Sequence, residues 1–268
     1  MTYVDVHTHL THEAFEADLD EVIQNAHQAG LEAIVVNGLE TKSNRQILDM
    51  AKKYKIIWPA LGIYPTYAAS PVLQPGDLPW ELDDFDLESE LEFINQAASH
   101  KSICAIGECG LDGYWLKKET FSQQEQVFDR LIQIAISHDL PLIIHTRKLE
   151  KRAIEILHNH SPNKVIFHCY GGKSKLAIQT AEQTGWHFSI PANAHRSESF
   201  QKLLRNLPLE CILTETDAPY LPPEKFSRNE PKNVVSTVAL MASIRGMNQE
   251  NARSVIWDNF SKIFNRPE

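Results

Sequence analysis

Short apolar runs rich in β-branched residues alternate along this chain with longer amphipathic stretches. Eight runs read as buried strands: Tyr3–Val6, Ala33–Val36, Ile56–Leu61, Ile103–Ile106, Leu142–Ile144, Val165–Phe167, Trp186–Ser189 and Cys211–Leu213. Between most of them, apolar positions recur at helical spacing, as in Leu19–Gln28, Asn44–Lys53, Phe121–Ser137, Ala153–His160 and Phe200–Asn206. Strands alternating with helices predict right-handed βαβ units and a parallel sheet. Eight such units predict an α/β fold closed as a TIM-like (β/α)8 barrel, with residues 1–268 forming one domain. The rhythm breaks at Tyr64–Leu87, rich in Pro, Asp and Trp, which predicts a long loop before a helix over Leu87–Ala98. Pro231–Phe264 reads as two closing helices with a break near Gly246.

Composition narrows the picture. A chain of 268 residues can bury a large core. No apolar run reaches the ~18 residues of a membrane span, and the start, Met-Thr-Tyr-Val-Asp-Val-His, has neither the basic nor the apolar segment of a secretory leader. The four cysteines, Cys104, Cys109, Cys169 and Cys211, show no CxxC spacing, which predicts reduced thiols and a cytoplasmic location. The net charge of −9 argues against a basic protein that coats nucleic acid. It leaves room for a nuclease, because bound cations can dominate the local field.

Residue types that bind metals recur at one structural address. His7 and His9 end strand one, Glu108 strand four, His145 strand five, His168 strand six and Asp217 strand eight. In a β/α barrel all C-terminal strand ends converge on one face. The His7-Thr8-His9 spacing sends both imidazoles to the same side of a strand. Six such groups in one mouth are costly to desolvate unless cations offset the cost. They exceed what one tetrahedral catalytic ion needs and suit two divalent ions. The nitrogen and oxygen donors fit Zn²⁺, Mn²⁺, Co²⁺ or Ni²⁺, with Mg²⁺ the poorest match. In barrel order Glu108 lies between His7, His9 and Asp217 on one side and His145 and His168 on the other, so it is the expected bridge. Asp217 is the expected proton acceptor, and Glu215, on the same strand face, is expected to support a ligand histidine.

These residues sit in motifs that resemble the TatD family of metal-dependent deoxyribonucleases, within the amidohydrolase-like barrels. The stretches are Val4-Asp5-Val6-His7-Thr8-His9-Leu10, Ile106-Gly107-Glu108-Cys109-Gly110-Leu111-Asp112, Ile144-His145-Thr146-Arg147, Phe167-His168-Cys169-Tyr170-Gly171-Gly172, Thr214-Glu215-Thr216-Asp217-Ala218-Pro219-Tyr220-Leu221 and Arg228-Asn229-Glu230-Pro231. The set spans nearly the whole chain in order. The resemblance implies hydrolysis of DNA by metal-activated water, often from a 3′ end, with single-stranded DNA or a 3′ end as partner and no obligate protein partner. Three departures stand out. Gly62-Ile63-Tyr64-Pro65-Thr66 replaces the family's Gly-Ile-His-Pro-His, the Asp-Tyr pair is spread over Asp112-Gly113-Tyr114, and Phe188-Ser189-Ile190-Pro191 replaces Phe-Ser-Gly. Tyr64 can donate a hydrogen bond but is a poor base at neutral pH.

Cations follow several strand ends: Arg147 and Lys148, Lys173 and Lys175, Arg196, then Arg228 and Lys232. They predict a basic rim on an acidic protein. Arg147 and Arg228 are the expected phosphate ligands, since a guanidinium matches phosphate oxygens in pairs. Tyr64, Tyr170, Tyr220 and Trp115 are candidate substrate contacts, the last three by stacking on bases. Two rival readings remain open: a small-molecule amidohydrolase or phosphoesterase, and a DNA-binding barrel with little catalysis. Many of the former bridge their metals with a modified lysine on strand four; here that place holds Glu108.

Overall fold

The computed structural model describes residues 2–267, so Met1 and Glu268, the ends of the expected 1–268 domain, lie outside the described residues. Eight parallel strands form one sheet in the order of the chain: β1 Tyr3–Thr8, β2 Leu31–Asn37, β3 Ile57–Leu61, β4 Ala105–Asp112, β5 Leu142–Arg147, β6 Val165–Phe167, β7 His187–Pro191 and β8 Ile212–Glu215. Beyond the end of β8 the backbone returns to β1. The Asp217 amide donates to the His7 carbonyl at 2.9 Å and the His9 amide donates to the Ala218 carbonyl at 2.8 Å. The TIM-like barrel expected from the alternation is the fold observed.

The strands are buried almost throughout, which is why they read as continuous apolar runs rather than alternating ones. Helices cover the outside: α1 Leu19–Ala29, α2 Thr41–Lys53, α3 Pro65–Ala68, α4 Leu87–Ser99, α5 Phe121–Ser137, α6 Glu150–His160, α7 Ser174–Thr184, α8 Glu198–Asn206, α9 Val234–Arg245 and α10 Gln249–Ile263. Most bury an apolar stripe inward, as α5 does with Val127, Phe128, Leu131, Ile132 and Ala135. Helix α2 starts on a capping box in which the Ser43 amide donates to Glu40 at 2.8 Å. The break between α9 and α10 is Gly246, at φ 64°.

Most strand ends differ from expectation by one to three residues, as β5 does by running on to Arg147, and two differences are larger. Strand β4 begins at Ala105 rather than Ile103 and runs on through Glu108 to Asp112, so Glu108 is inside the strand and not at its end. Gly110 makes the extension possible: at φ 137° it packs so closely on β5 that a Cβ there would lie 2.1 Å from the His145 carbonyl oxygen. The stretch expected to be one long loop contains α3 and a 3-10 turn over Ser70–Val72 before it becomes irregular up to α4.

Candidate metal centre

The strand pleat and the return of the chain after β8 bring the six expected ligand residues into one cluster. His7 lies in β1 and His9 just beyond it, both buried. Their Nε2 atoms are 3.1 Å apart. Asp217 Oδ1 lies 3.6 Å from His7 Nε2 and 3.4 Å from His9 Nε2. Glu108 faces both histidine pairs. Its Oε2 is 3.4 Å from the Nε2 atoms of His7 and His9. Its Oε1 is 2.9 Å from His145 Nδ1 and 3.0 Å from His168 Nε2. The rings of His7 and His168 stack at 3.8 Å, which sets the two groups side by side.

These spacings suit metal binding. With bonds of about 2.1 Å, ligand atoms around an ion sit about 3.0 Å apart at right angles and about 3.4 Å apart in a tetrahedron. Histidine tautomers point the same way. His9 Nδ1 is 3.3 Å from the Asn37 carbonyl oxygen, to which it donates, so in the neutral ring Nε2 carries a lone pair. His145 Nε2 is 2.9 Å from Asp112 Oδ2, to which it donates, leaving the lone pair on Nδ1. Both lone pairs face carboxylate oxygens, an arrangement that repels unless a proton or a cation lies between.

In the protein alone, a proton takes that place at His145. Burial opposes charge on His145, but the carboxylates of Asp112 and Glu108 outweigh it and push the ring up to about 9. Burial and the neighbouring His168 instead pull His7 down to about 4. Despite burial, the surrounding imidazoles hold Glu108 well below the usual carboxylate range, and His9 with its neighbours does the same for Asp217 more mildly. The carboxylates are therefore ionised and ready as ligands at neutral pH.

A second layer braces this cluster. Asp5 is fully buried and accepts from the amides of His7, 3.2 Å, and Thr216, 3.0 Å, which ties β1 to the segment after β8. Burial pushes its carboxyl up to about 7. Glu215 accepts from the Cys169 amide at 2.8 Å and from the Ser189 hydroxyl. Its carboxylate stays 3.9 Å from His168 Nδ1, beyond hydrogen-bond reach, so it supports the histidine through the adjoining backbone rather than through the ring.

A family description for TatD related DNases matches residues 4–265 of this chain. The chain belongs to the TatD family. Membership places it among metal-dependent hydrolases. Deoxyribonuclease TATDN3 of Homo sapiens is 33% identical over 268 residues, covering 97% of this chain and 94% of that protein. An uncharacterized metal-dependent hydrolase of Methanocaldococcus jannaschii is 33% identical over 264 residues, covering 98% of this chain and 97% of its own. Among solved structures, the TatD homologue YjjV of Escherichia coli superposes with a TM-score of 0.85 at 24% identity over 99% of this chain and 98% of that one, a likeness of fold.

Other expected TatD site residues fall into two groups. Tyr64, at the place of the family histidine, lies beside the cluster: its hydroxyl is 3.5 Å from His145 Nε2 and its ring meets that imidazole edge-on at 4.9 Å. Burial raises its pKa further, so it acts as a phenol and not as a base. Arg147, Trp115 and Tyr220 reach the surface. Tyr170 does not. It is 1% exposed and packs edge-on against Phe167 and Phe188, so it cannot stack on a base. Arg228 is also spoken for. It forms a two-point ion pair with Asp18, at 2.8 and 2.6 Å, over the ring of Phe15, which leaves little of the guanidinium for phosphate. Of the other rim cations, Arg196 donates to the Pro222 carbonyl and Lys232 pairs with Glu230.

Asp112 was missing from the residues expected at the site. It shares a strand with Glu108, four residues on, so the signal was available once β4 was known to continue that far.

Proposed function

We propose that this chain is a two-metal hydrolase of DNA phosphodiester bonds. The observation that carries the reading is Glu108, whose two oxygens each face a separate pair of histidine nitrogens at 2.9–3.4 Å. His7, His9, Asp217 and Glu108 would hold one divalent ion; Glu108, His145 and His168 would hold the other. Each ion would be Zn²⁺, Mn²⁺, Co²⁺ or Ni²⁺, with Mg²⁺ less suited to a site with two imidazoles. Such a pair, when bound, lowers the pKa of water and neutralises phosphate charge.

The chain's own groups supply the rest. Asp217 keeps Oδ2 free of hydrogen bonds among the described residues, which suits it to orient an attacking water and accept its proton. The Tyr64 hydroxyl can donate a hydrogen bond to a phosphate or leaving-group oxygen. Arg147, without an ion-pair partner among the described residues, can bind a phosphate. The relatives described as deoxyribonucleases support DNA as the substrate class. We further propose a preference for single strands and 3′ ends. Residues 1–268 would act as one domain, and four free thiols fit a reducing cytoplasm. No helix among the described residues is long and apolar enough to cross a membrane.

The test is turnover of a labelled single-stranded oligonucleotide, with and without a blocked 3′ end, beside a panel of lactones and amides. Cleavage is expected with a transition metal and not after chelation, and more slowly with the blocked end. Turnover of a lactone or amide but not of the oligonucleotide would favour the small-molecule reading. Binding without cleavage in any metal would favour a binding barrel.

A further inference from the structure

Of the seven large apolar side chains exposed among the described residues, three form one patch: Trp80, Tyr114 and Trp115. Trp80 comes from the irregular stretch between α3 and α4; the other two follow β4 directly. Trp80 and Trp115 meet edge-on at 5.0 Å, and Trp115 meets Tyr114 edge-on at 4.8 Å. Arg147 lies flat enough on Tyr114 to place its guanidinium carbon 3.5 Å from the ring centre. Its five N–H donors have no hydrogen-bond or ion-pair partner among the described residues.

This patch is wired to the metal cluster through one carboxylate. Asp112 Oδ1 accepts from the amides of Tyr114 and Trp115, each at 2.7 Å, while its Oδ2 accepts from His145 at 2.9 Å. Arg147 lies two residues beyond His145 on the same strand and pairs with Asp112 in the sheet. Exposed aromatic rings cost hydration that a free surface does not repay. A cation with open donors at their edge adds a preference for an anion. Together they match a nucleotide: a base for the rings and a phosphate for the guanidinium.

We propose that Trp80, Tyr114, Trp115 and Arg147 form a subsite for the unpaired nucleotide next to the scissile phosphate. The proposal rests on the DNA hydrolase reading and deepens it. The base stacks on Trp115, with the rings of Trp80 and Tyr114, which meet Trp115 edge-on, bordering it, and Arg147 binds the phosphate on the side away from the metals. A base held in a duplex cannot offer its face to this wall, so the subsite selects an unstacked nucleotide without reading its identity.

The experiment separates binding from turnover. Fluorescein-labelled pentathymidylate is titrated in EDTA against the whole chain, followed by anisotropy, with one nucleotide at a time replaced by an abasic residue. In the parent protein one position should raise Kd by about tenfold when its base is removed, the size of one lost base stack. In Trp115→Ala the same replacement should change Kd by less than about twofold, because the stacking partner is already gone. Trp80→Ala, in an irregular surface stretch, should give an intermediate penalty and covers the case in which Trp115→Ala does not fold. An abasic penalty equal in all three proteins, or absent at every position, would overturn the subsite. Turnover of pentathymidylate by the parent with Mn²⁺ tests the hydrolase reading separately: the predicted binding pattern without turnover would overturn that reading and leave the subsite standing.

Discussion

The two halves of the ligand cluster use similar donors but are held in place differently. His7, His9 and Asp217 stand where β1 meets the chain beyond β8, and backbone hydrogen bonds fasten that seam: Asp217 to His7, His9 to Ala218, and Asp5 beneath both strands. His145 comes from β5 and His168 follows β6, and side-chain contacts orient the His145 ring, through Asp112, Glu108 and the nearby Tyr64. Neither His168 Nδ1 nor His7 Nδ1 has a hydrogen-bond partner among the described residues. The first half is fastened by the barrel's backbone. In the second, the Asp112 carboxylate that meets His145 also carries the aromatic rim. If both halves bind ions, the second is the one a substitution at Asp112 should weaken.

The largest effect should come from removing what both halves share. Glu108→Ala should lower occupancy of both ions and reduce cleavage by more than about a thousandfold, as expected when a bridging ligand is lost. Replacing His7 should empty mainly one site. Elemental analysis showing full metal in Glu108→Ala would contradict the shared role. Next in size is Asp112→Ala, which should weaken metal at the His145 half by about 10–100-fold while leaving the seam half loaded. Calorimetric titration would then show one tight site and one weakened site. Equal weakening at both would erase the contrast between the halves.

Tyr64→His should raise the rate on DNA by about tenfold at matched metal occupancy, equivalent to roughly 1.4 kcal/mol of barrier, because His titrates near neutrality and Tyr does not. An unchanged or lower rate with full metal would show that Tyr64 sets specificity instead of limiting the nuclease rate.

The smallest effects are those of protons. In metal-stripped protein, His145 should lose its proton near pH 9 and His7 near pH 4, which ring NMR signals can follow. The raised His145 value means its imidazolium stabilises the metal-free fold fully below about pH 6.5, the ordinary histidine value. That contribution is lost as pH rises through about 9. The gap in Tm between the parent and His145→Gln should therefore close between those limits. A gap independent of pH would contradict the two-carboxylate setting of His145.

Much of this was legible in the sequence, and the failures have physical causes. Strands buried on both faces give unbroken apolar runs, and Val165–Phe167 was recovered to the residue. Helix α7 gave little signal because the residues it buries are small or polar: Ala177, Thr180 and Ala181. The polar Gly107-Glu108 step looked like the end of a strand, although β4 continues because its polar side chains find partners in the mouth, and with that boundary the role of Asp112 was lost. Tyr170 follows His168 by two residues and looked like rim. The backbone turns at Cys169, φ 40°, and the ring settles between Phe167 and Phe188. No local pattern could show that Arg228 meets Asp18, a partner 210 residues away. The clustering of the six expected ligand residues was readable because residues in or just beyond the C-terminal part of the strands face one mouth.

The most direct test of the account is a metal titration of cleavage. Protein stripped by a chelator and verified as metal-free should not cleave a labelled single-stranded oligonucleotide. Mn²⁺ or Zn²⁺ added in steps should restore cleavage only as a second equivalent binds. Full cleavage by the verified metal-free protein, or full recovery at one equivalent, would contradict the two-metal centre built around Glu108.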